Sequence, residues 1–157
     1  MSHRFVPMDS VELDELFVIE QSCHSFPWSR NTLASCIGSG YQGEALIWGG
    51  RAVGYYITQI VVGEATLMNI CILPELRGQG LGRHLLHRCL QRLSSEQADC
   101  CFLEVRAGNK PALGLYREIG FEPLAVRKGY YQGEAGREDA VIMKLTLDEN
   151  PMCKKGA

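Results

Sequence analysis

The order of elements predicts an α/β chain of the α+β kind: a mixed, mostly antiparallel central sheet of six to seven strands flanked by about four helices. Three observations predict it. Apolar residues recur at helical spacing in three stretches, a capped and glycine-stopped segment adds a short fourth helix, and extended apolar runs bounded by glycine or proline fill the gaps between them. A strand, helix, strand order over 65–105 calls for one right-handed crossover and so for parallel pairing there. Short glycine turns elsewhere call for hairpins and antiparallel neighbours.

Asp9 followed by Glu12 forms a capping-box signature ahead of Leu13, Leu16 and Phe17, and predicts a first helix over 10–22. Phe26-Pro27-Trp28-Ser29 interrupts it, and Ser29 caps a short second helix that stops at Gly38. Runs 45–48 and 52–60 flank Gly49-Gly50-Arg51, a tight hairpin connection. Gly63 then turns the chain into 65–73, apolar on both faces as befits a strand inside a sheet, and Pro74 ends it. Leu81, Leu85, Leu86, Cys89, Leu90 and Leu93 make the stripe of a third helix, and 100–105 returns to strand character. Asn109 caps a fourth helix with Pro111 in its first turn; Ala112, Leu115, Tyr116 and Ile119 share its inner face and Gly120 closes it. Segments 121–126 and 140–145 supply the last strands, joined through Gly133 and Gly136. Residues 1–150 read as a single domain and 151–157 as a frayed polar tail.

The 157 residues carry 16 Lys plus Arg against 18 Asp plus Glu, a net charge of -2, so a surface for neutralising the phosphates of long nucleic acid is not expected. The opening residues lack the basic and apolar regions of a signal peptide, and no stretch approaches the roughly 20 apolar residues of a membrane span. A cytoplasmic protein with no membrane or direct nucleic-acid partner, working as a monomer, is the expectation. The 7 cysteines make an odd, scattered set without a C-x-x-C pair, which reads as reduced thiols; Cys71 and Cys89 read as core, and Cys100 and Cys101 as opposite faces of one strand. His84 and His87 share a helix, but Arg83, Arg88 and Arg92 surround them and no carboxylate follows at ligand spacing, so no metal is expected.

Arg77-Gly78-Gln79-Gly80-Leu81-Gly82-Arg83 follows a strand and opens a helix, where backbone N–H groups and the positive end of the helix dipole converge on an anion. The alternate glycines leave out Cβ atoms that would hold phosphate oxygens away, and Arg77 and Arg83 add charge. A plain glycine-rich turn is the competing reading. A Walker loop fails, since Arg83 and His84 follow Gly82 where Lys and Ser or Thr are needed. The dinucleotide fingerprint lacks its third glycine at Arg83 and comes after several strands, although Glu104 lies at the distance of its ribose-binding acid; it stays as the weaker alternative.

Arg77, Gly80 and Gly82 together resemble the coenzyme A loop, Arg-x-x-Gly-x-Gly, of the GNAT N-acetyltransferase superfamily. The resemblance continues through Phe26-Pro27-Trp28-Ser29, Glu64-Ala65-Thr66-Leu67, Leu103-Glu104-Val105-Arg106, Asn109, Leu115-Tyr116, Gly120-Phe121, Tyr130-Tyr131 and Gly136-Arg137-Glu138-Asp139-Ala140, across roughly residues 10–146. It implies the GNAT fold and acetyl-coenzyme A as cosubstrate. It implies that 77–83 cradle the pyrophosphate, that Ile70, Cys71 and Ile72 offer backbone groups to pantetheine and the thioester, and that Asn109 touches the cofactor. The family's usual Gln-Arg is Arg77-Gly78 here, which shifts the cradle toward backbone amides. Glu104 is implied as general base and Tyr116 as the acid that protonates the thiolate. On residue type alone both have structural readings: Glu104 partnered by Arg106 or a backbone amide, Tyr116 as core packing.

Phe26, Trp28, Tyr130 and Tyr131 are aromatics in segments that read as turns, and as a peptide entrance they compete with simple surface packing. The branch of the family most resembled acetylates the N-terminal alanine of small-subunit ribosomal protein eighteen, which implies a ribosomal protein N-terminus as substrate. Acetylation of lysines or small amines, and a non-catalytic coenzyme A module, share every cofactor feature and remain open.

Overall fold

The computed structural model describes residues 3–133 and 136–147. The tail expected at 151–157 lies outside them. Two compact units divide the chain, one of Met1–Ile60 with Met68–Arg92, the other of Val61–Leu67 with Leu93–Ala157.

The first unit opens with strand β1 (His3–Pro7), a 3-10 turn at Met8–Ser10, and helices α1 (Leu13–Cys23) and α2 (Arg30–Ser35). Strands β2 (Gln42–Trp48), β3 (Arg51–Val61) and β4 (Glu64–Ile72) follow, then a 3-10 turn at Pro74–Leu76 and helix α3 (Leu81–Ser95). β1 pairs antiparallel with β2 from His3↔Trp48 to Pro7↔Glu44, and β2 with β3 from Gln42↔Thr58 to Trp48↔Arg51. The β2–β3 turn is Gly49-Gly50, with φ of 64° and 79°, the pair of positive values that a two-residue hairpin matched to strand twist requires. A glycine is also required at Gly54, because a Cβ there would come 2.5 Å from the Cys71 carbonyl oxygen: β3 and β4 approach too closely for a side chain.

This unit holds one element the sequence reading did not include and one expectation that fails. β1 is five residues long and runs directly into the 3-10 turn at Met8–Ser10; it was not read from the sequence, and it forms because β2 offers an edge about forty residues later. The capping box is absent: Glu12 stands at the N-cap of α1 with no side-chain bond, and Asp9 lies inside the 3-10 turn. Buried Met8 anchors that turn and the Val11 amide closes it on the Met8 carbonyl at 3.2 Å, so the chain must restart before a helix can begin. Ser29 does cap α2, its hydroxyl accepting from the Thr32 amide at 3.1 Å. The α3 stripe is buried at every expected position, Leu81, Leu85, Leu86, Cys89, Leu90 and Leu93.

The second unit holds β5 (Cys100–Arg106), α4 (Lys110–Ile119), β6 (Glu122–Gly133) and β7 (Gly136–Thr146). The start of β4 pairs parallel with β5, Glu64↔Cys100 to Thr66↔Phe102, as the crossover demands. β5 pairs antiparallel with β7, and β6 with β7, so the seven strands follow the order β1-β2-β3-β4-β5-β7-β6. Asn109 caps α4 through the Ala112 amide at 3.3 Å, and Gly120 ends it at φ 123°. β6 runs well past the expected 121–126, carrying Tyr130 and Tyr131 on a strand rather than a turn. Gly129, at φ 61°, absorbs the register shift between Arg127 and Tyr131 and so lets one strand continue where the sequence suggests a break.

Candidate active site

In the first unit the chain leaves β4 at Ile72, passes the 3-10 turn, and reaches α3 through 77–80. Gly78 and Gly80 have φ of 81° and 80°, which residues with a Cβ adopt only at a cost. A Cβ on Gly78, Gly80 or Gly82 would meet nothing within 4 Å, so the protein leaves space above all three. The His84 amide makes its helical bond to the Gly80 carbonyl at 3.0 Å, and the amides of Leu81 and Gly82 stand ahead of that bond in the first turn. Open space over a row of amides at a helix start fits an anion such as a pyrophosphate. Gln79 and Gly80 are exposed, while Leu81 turns into the core and holds the loop down. Arg77 is exposed and reaches the Cys23 carbonyl at 3.4 Å. Ile70 is half-buried and Cys71 and Ile72 are buried at the end of β4.

Beside that strand end lies a polar group that sequence reading missed. Glu20 of α1 is 1 % exposed. One of its oxygens accepts from the Tyr55 hydroxyl at 2.5 Å and the Asn69 amide at 2.8 Å; the other accepts from the Trp28 backbone at 2.8 Å. His24, the extended residue that ends α1, lies 3.6 Å from Glu20 and 3.2 Å from Asn69 Oδ1. Burial, then the neighbouring Cys71 and the Glu20 carboxylate, pushes the Tyr55 phenol far above its ordinary range, so it serves as a fixed donor. Phe26 is exposed and Trp28 half-buried, its backbone tied to Glu20. The only hint in the sequence was a glutamate and a histidine four apart on the helix stripe Leu16, Ile19, Glu20, Cys23.

Glu20, His24 and Cys71 offer ligand-type atoms all within 4.8 Å of one another. Glu20 already receives three hydrogen-bond donors from within the protein. His84, the other metal candidate weighed from sequence, lies 2.6 Å from His3 and against Phe5, and burial followed by the nearby His3 and His87 lowers its pKa.

In the second unit Glu104 stands on β5 with its side chain 30 % exposed, 3.6 Å from Arg127 of β6. Arg106 bonds Glu138 at 3.2 Å and the Gln132 carbonyl at 2.8 Å, and lies over the Tyr131 ring at 4.4 Å. The Glu104 carboxylate, as acceptor and as charge, raises the pKa of the Tyr130 phenol; burial, then Glu104, pushes Tyr131 up to about 12. The structure thus gathers Glu104, Tyr130 and Tyr131, residues far apart in sequence, around one carboxylate. Tyr116 is 8 % exposed on α4 and packs edge-on against Phe121 at 5.7 Å. Asn109 is exposed with its side-chain oxygen used as a cap.

Antiparallel strands leading into a glycine loop at a helix start, with one parallel crossover after it, define an acyltransferase-type fold and dispose of the doubly wound dinucleotide alternative. Residues 12–121 match the profile of the Acetyltransferase (GNAT) family. The chain is 41 % identical over 140 residues to the [ribosomal protein bS18]-alanine N-acetyltransferase of Escherichia coli K12, covering 89 % of this chain and 95 % of that one. The crystal structure of the Escherichia coli ribosomal-protein-S18-alanine N-acetyltransferase superposes with a TM-score of 0.89 at 39 % identity, over 93 % of this chain and 94 % of that one. Arabidopsis thaliana NAA60 in complex with acetyl-CoA shares the fold, at a TM-score of 0.83 and 16 % identity, over 94 % of this chain and 99 % of that one. The protein belongs to the GNAT acetyltransferase family.

Proposed function

We propose that this protein transfers the acetyl group of acetyl-coenzyme A to the free α-amine of a protein N-terminus, the acceptor being the N-terminal alanine of ribosomal protein bS18. The observation that carries the acceptor is the 41 % identity, over nearly the whole chain, with an enzyme named for that reaction. The reading takes residues 1–150 as one catalytic domain acting as a monomer in the cytoplasm. No helix among the described residues is long and apolar enough to cross a membrane.

In this reading the amides of 78–83 hold the pyrophosphate, with Arg77 and Arg83 adding charge and Asn109 touching the cofactor, while the backbone of Ile70, Cys71 and Ile72 orients the pantetheine arm. Acetyl-coenzyme A supplies the activated acyl group. Glu104, half-exposed at 30 % and flanked by phenols that keep their protons, takes the proton that leaves the attacking nitrogen. Tyr116 gives one to the departing thiolate. Phe26, Trp28, Tyr130 and Tyr131 line the way in for the peptide. An α-amine, with a pKa near about 8, needs less help to lose its proton than a lysine near about 10.4.

Mass spectrometry of peptides beginning with alanine, free or N-blocked, tests the acceptor. One acetyl group is expected on the free form alone, and acetylation of internal lysines instead overturns the assignment. Glu104→Gln and Tyr116→Phe are expected to lower kcat by about 10²–10⁴, with acetyl-coenzyme A affinity retained. Full activity in either removes that residue from the mechanism.

A further inference from the structure

The proton balance of amine acetylation leaves one proton without a carrier. An ammonium loses two protons on its way to an amide: the first frees the lone pair, and the second leaves as the C–N bond is made and the C–S bond breaks. One ends on the coenzyme A thiol and the other in solvent. Glu104 and Tyr116, in the roles above, serve the second proton and the thiolate. The first still needs an acceptor.

Resting on the reading that the acceptor is an α-amine, we propose that His24 takes that first proton, at Nδ1, and passes it to solvent, with Asn69 and Glu20 as its positioning residues. The hydrogen bonds determine the tautomer. Asn69 must turn its amide nitrogen to the Glu20 oxygen at 2.8 Å, since its own oxygen there would face another acceptor. Its Oδ1 therefore faces His24 Nε2 at 3.2 Å, and Nε2 must carry the hydrogen. The lone pair of the neutral ring is then at Nδ1, and a proton taken there makes an imidazolium whose charge lies 3.6 Å from the Glu20 carboxylate.

The setting suits an outlet. Glu20 is 1 % exposed and the His24 side chain 36 %, so the relay meets solvent through the imidazole. The same carboxylate holds the backbone of Trp28, and His24 directly precedes Ser25 and Phe26, so proton acceptor and proposed peptide entrance share one anchor. The titratable and charged neighbours are Glu20 and Cys23 on α1, Cys71 on β4, Tyr55 on β3 and Arg77 beside the Cys23 carbonyl. Tyr55 keeps its proton, and Cys71 is raised well above its ordinary value by burial, so neither competes as a base near neutral pH.

The test is the pH profile of kcat/KM between pH 6 and 9 on a peptide beginning with alanine. His24→Gln is expected to fall about 10–100-fold near neutrality, with the loss shrinking above the amine's own pKa of about 8, where the nucleophile is already neutral. Acetyl-coenzyme A affinity should be unchanged. His24→Ala should be rescued by added imidazole, more strongly by more basic imidazoles. A uniform loss at all pH values, no loss, or no rescue overturns the proposal. Should both variants misfold, 15N spectra of the wild-type histidines decide: a hydrogen on Nε2 of His24 at neutral pH supports the relay, and one on Nδ1 refutes it. Wild-type enzyme that acetylates lysines and not α-amines would sink the functional reading itself, which is a separate outcome.

Discussion

Gly82→Ala separates binding from folding, because the structure gives the two effects opposite signs. Gly82 is the second residue of α3 at an ordinary φ, and an added Cβ would meet nothing within 4 Å. Alanine is therefore free of strain there, and removing a helical glycine stabilises by about 0.5–1 kcal/mol. For a chain of this size that corresponds to a rise in Tm of about 1–4 °C. Helical Cα–Cβ bonds tilt toward the N-terminus, so the methyl leans into the space over the loop amides. Pushing a phosphate oxygen off even one of them forfeits a charge-assisted hydrogen bond of about 1.5–3 kcal/mol, a loss of about 10–100-fold in acetyl-coenzyme A affinity. Thermal melting and isothermal titration on one preparation read both quantities. A variant with raised Tm and unchanged Kd would refute the cradle, since it would show that no ligand uses that space. Gly80→Ala serves as comparison: its φ of 80° adds about 1–2 kcal/mol of strain, so Tm should fall while Kd also worsens.

Other outcomes follow from the same geometry. Buried Glu44 accepts from Tyr56 at 2.6 Å, from Arg88 at 2.8 and 3.0 Å and from Arg92 at 3.2 Å, and despite the opposing effect of burial these bonds lower its pKa. A depressed carboxylate contributes stability above its unfolded pKa of about 4.3 and loses it as pH falls through the folded value, so Glu44→Gln should flatten that acid limb in urea titrations. Because Arg88 and Arg92 are 35 % and 44 % exposed, the loss at pH 7 should be about 2 kcal/mol, below the range for fully buried pairs. Cys23, half-buried, has its pKa lowered by the Cys71 thiol and then, against burial, by Arg77, while burial pushes Cys101 up to about 12; iodoacetamide near pH 8 should label Cys23 well before Cys101, as peptide mapping would show. Asn109→Ala removes the α4 cap and should cost about 1 kcal/mol by chemical denaturation, and a change under about 0.3 kcal/mol would mean that the cap bond at 3.3 Å contributes nothing.

Local chemistry was legible in the sequence wherever an element carries its own signal. The Gly49-Gly50 hairpin, the Ser29 and Asn109 caps, the α3 stripe and the glycine loop each depend on residues within a few positions of one another, and the chain alone determined them. β1 could not be read, because five residues become a strand only when β2 supplies their hydrogen-bond partners. Nor could the length of β6, where the β7 ladder carries the strand past Gly129. The loop and Glu104 were visible as residues, but two of the groups beside Glu104 were not: Arg127 and Tyr130 come to it across the β5-β7-β6 ladder. Glu20, Tyr55 and Asn69 lie on three different elements, and no spacing rule joins them. Tertiary structure alone decided these groupings, since a buried carboxylate is stable only where donors from distant segments converge on it, and that convergence is a property of strand register and helix placement.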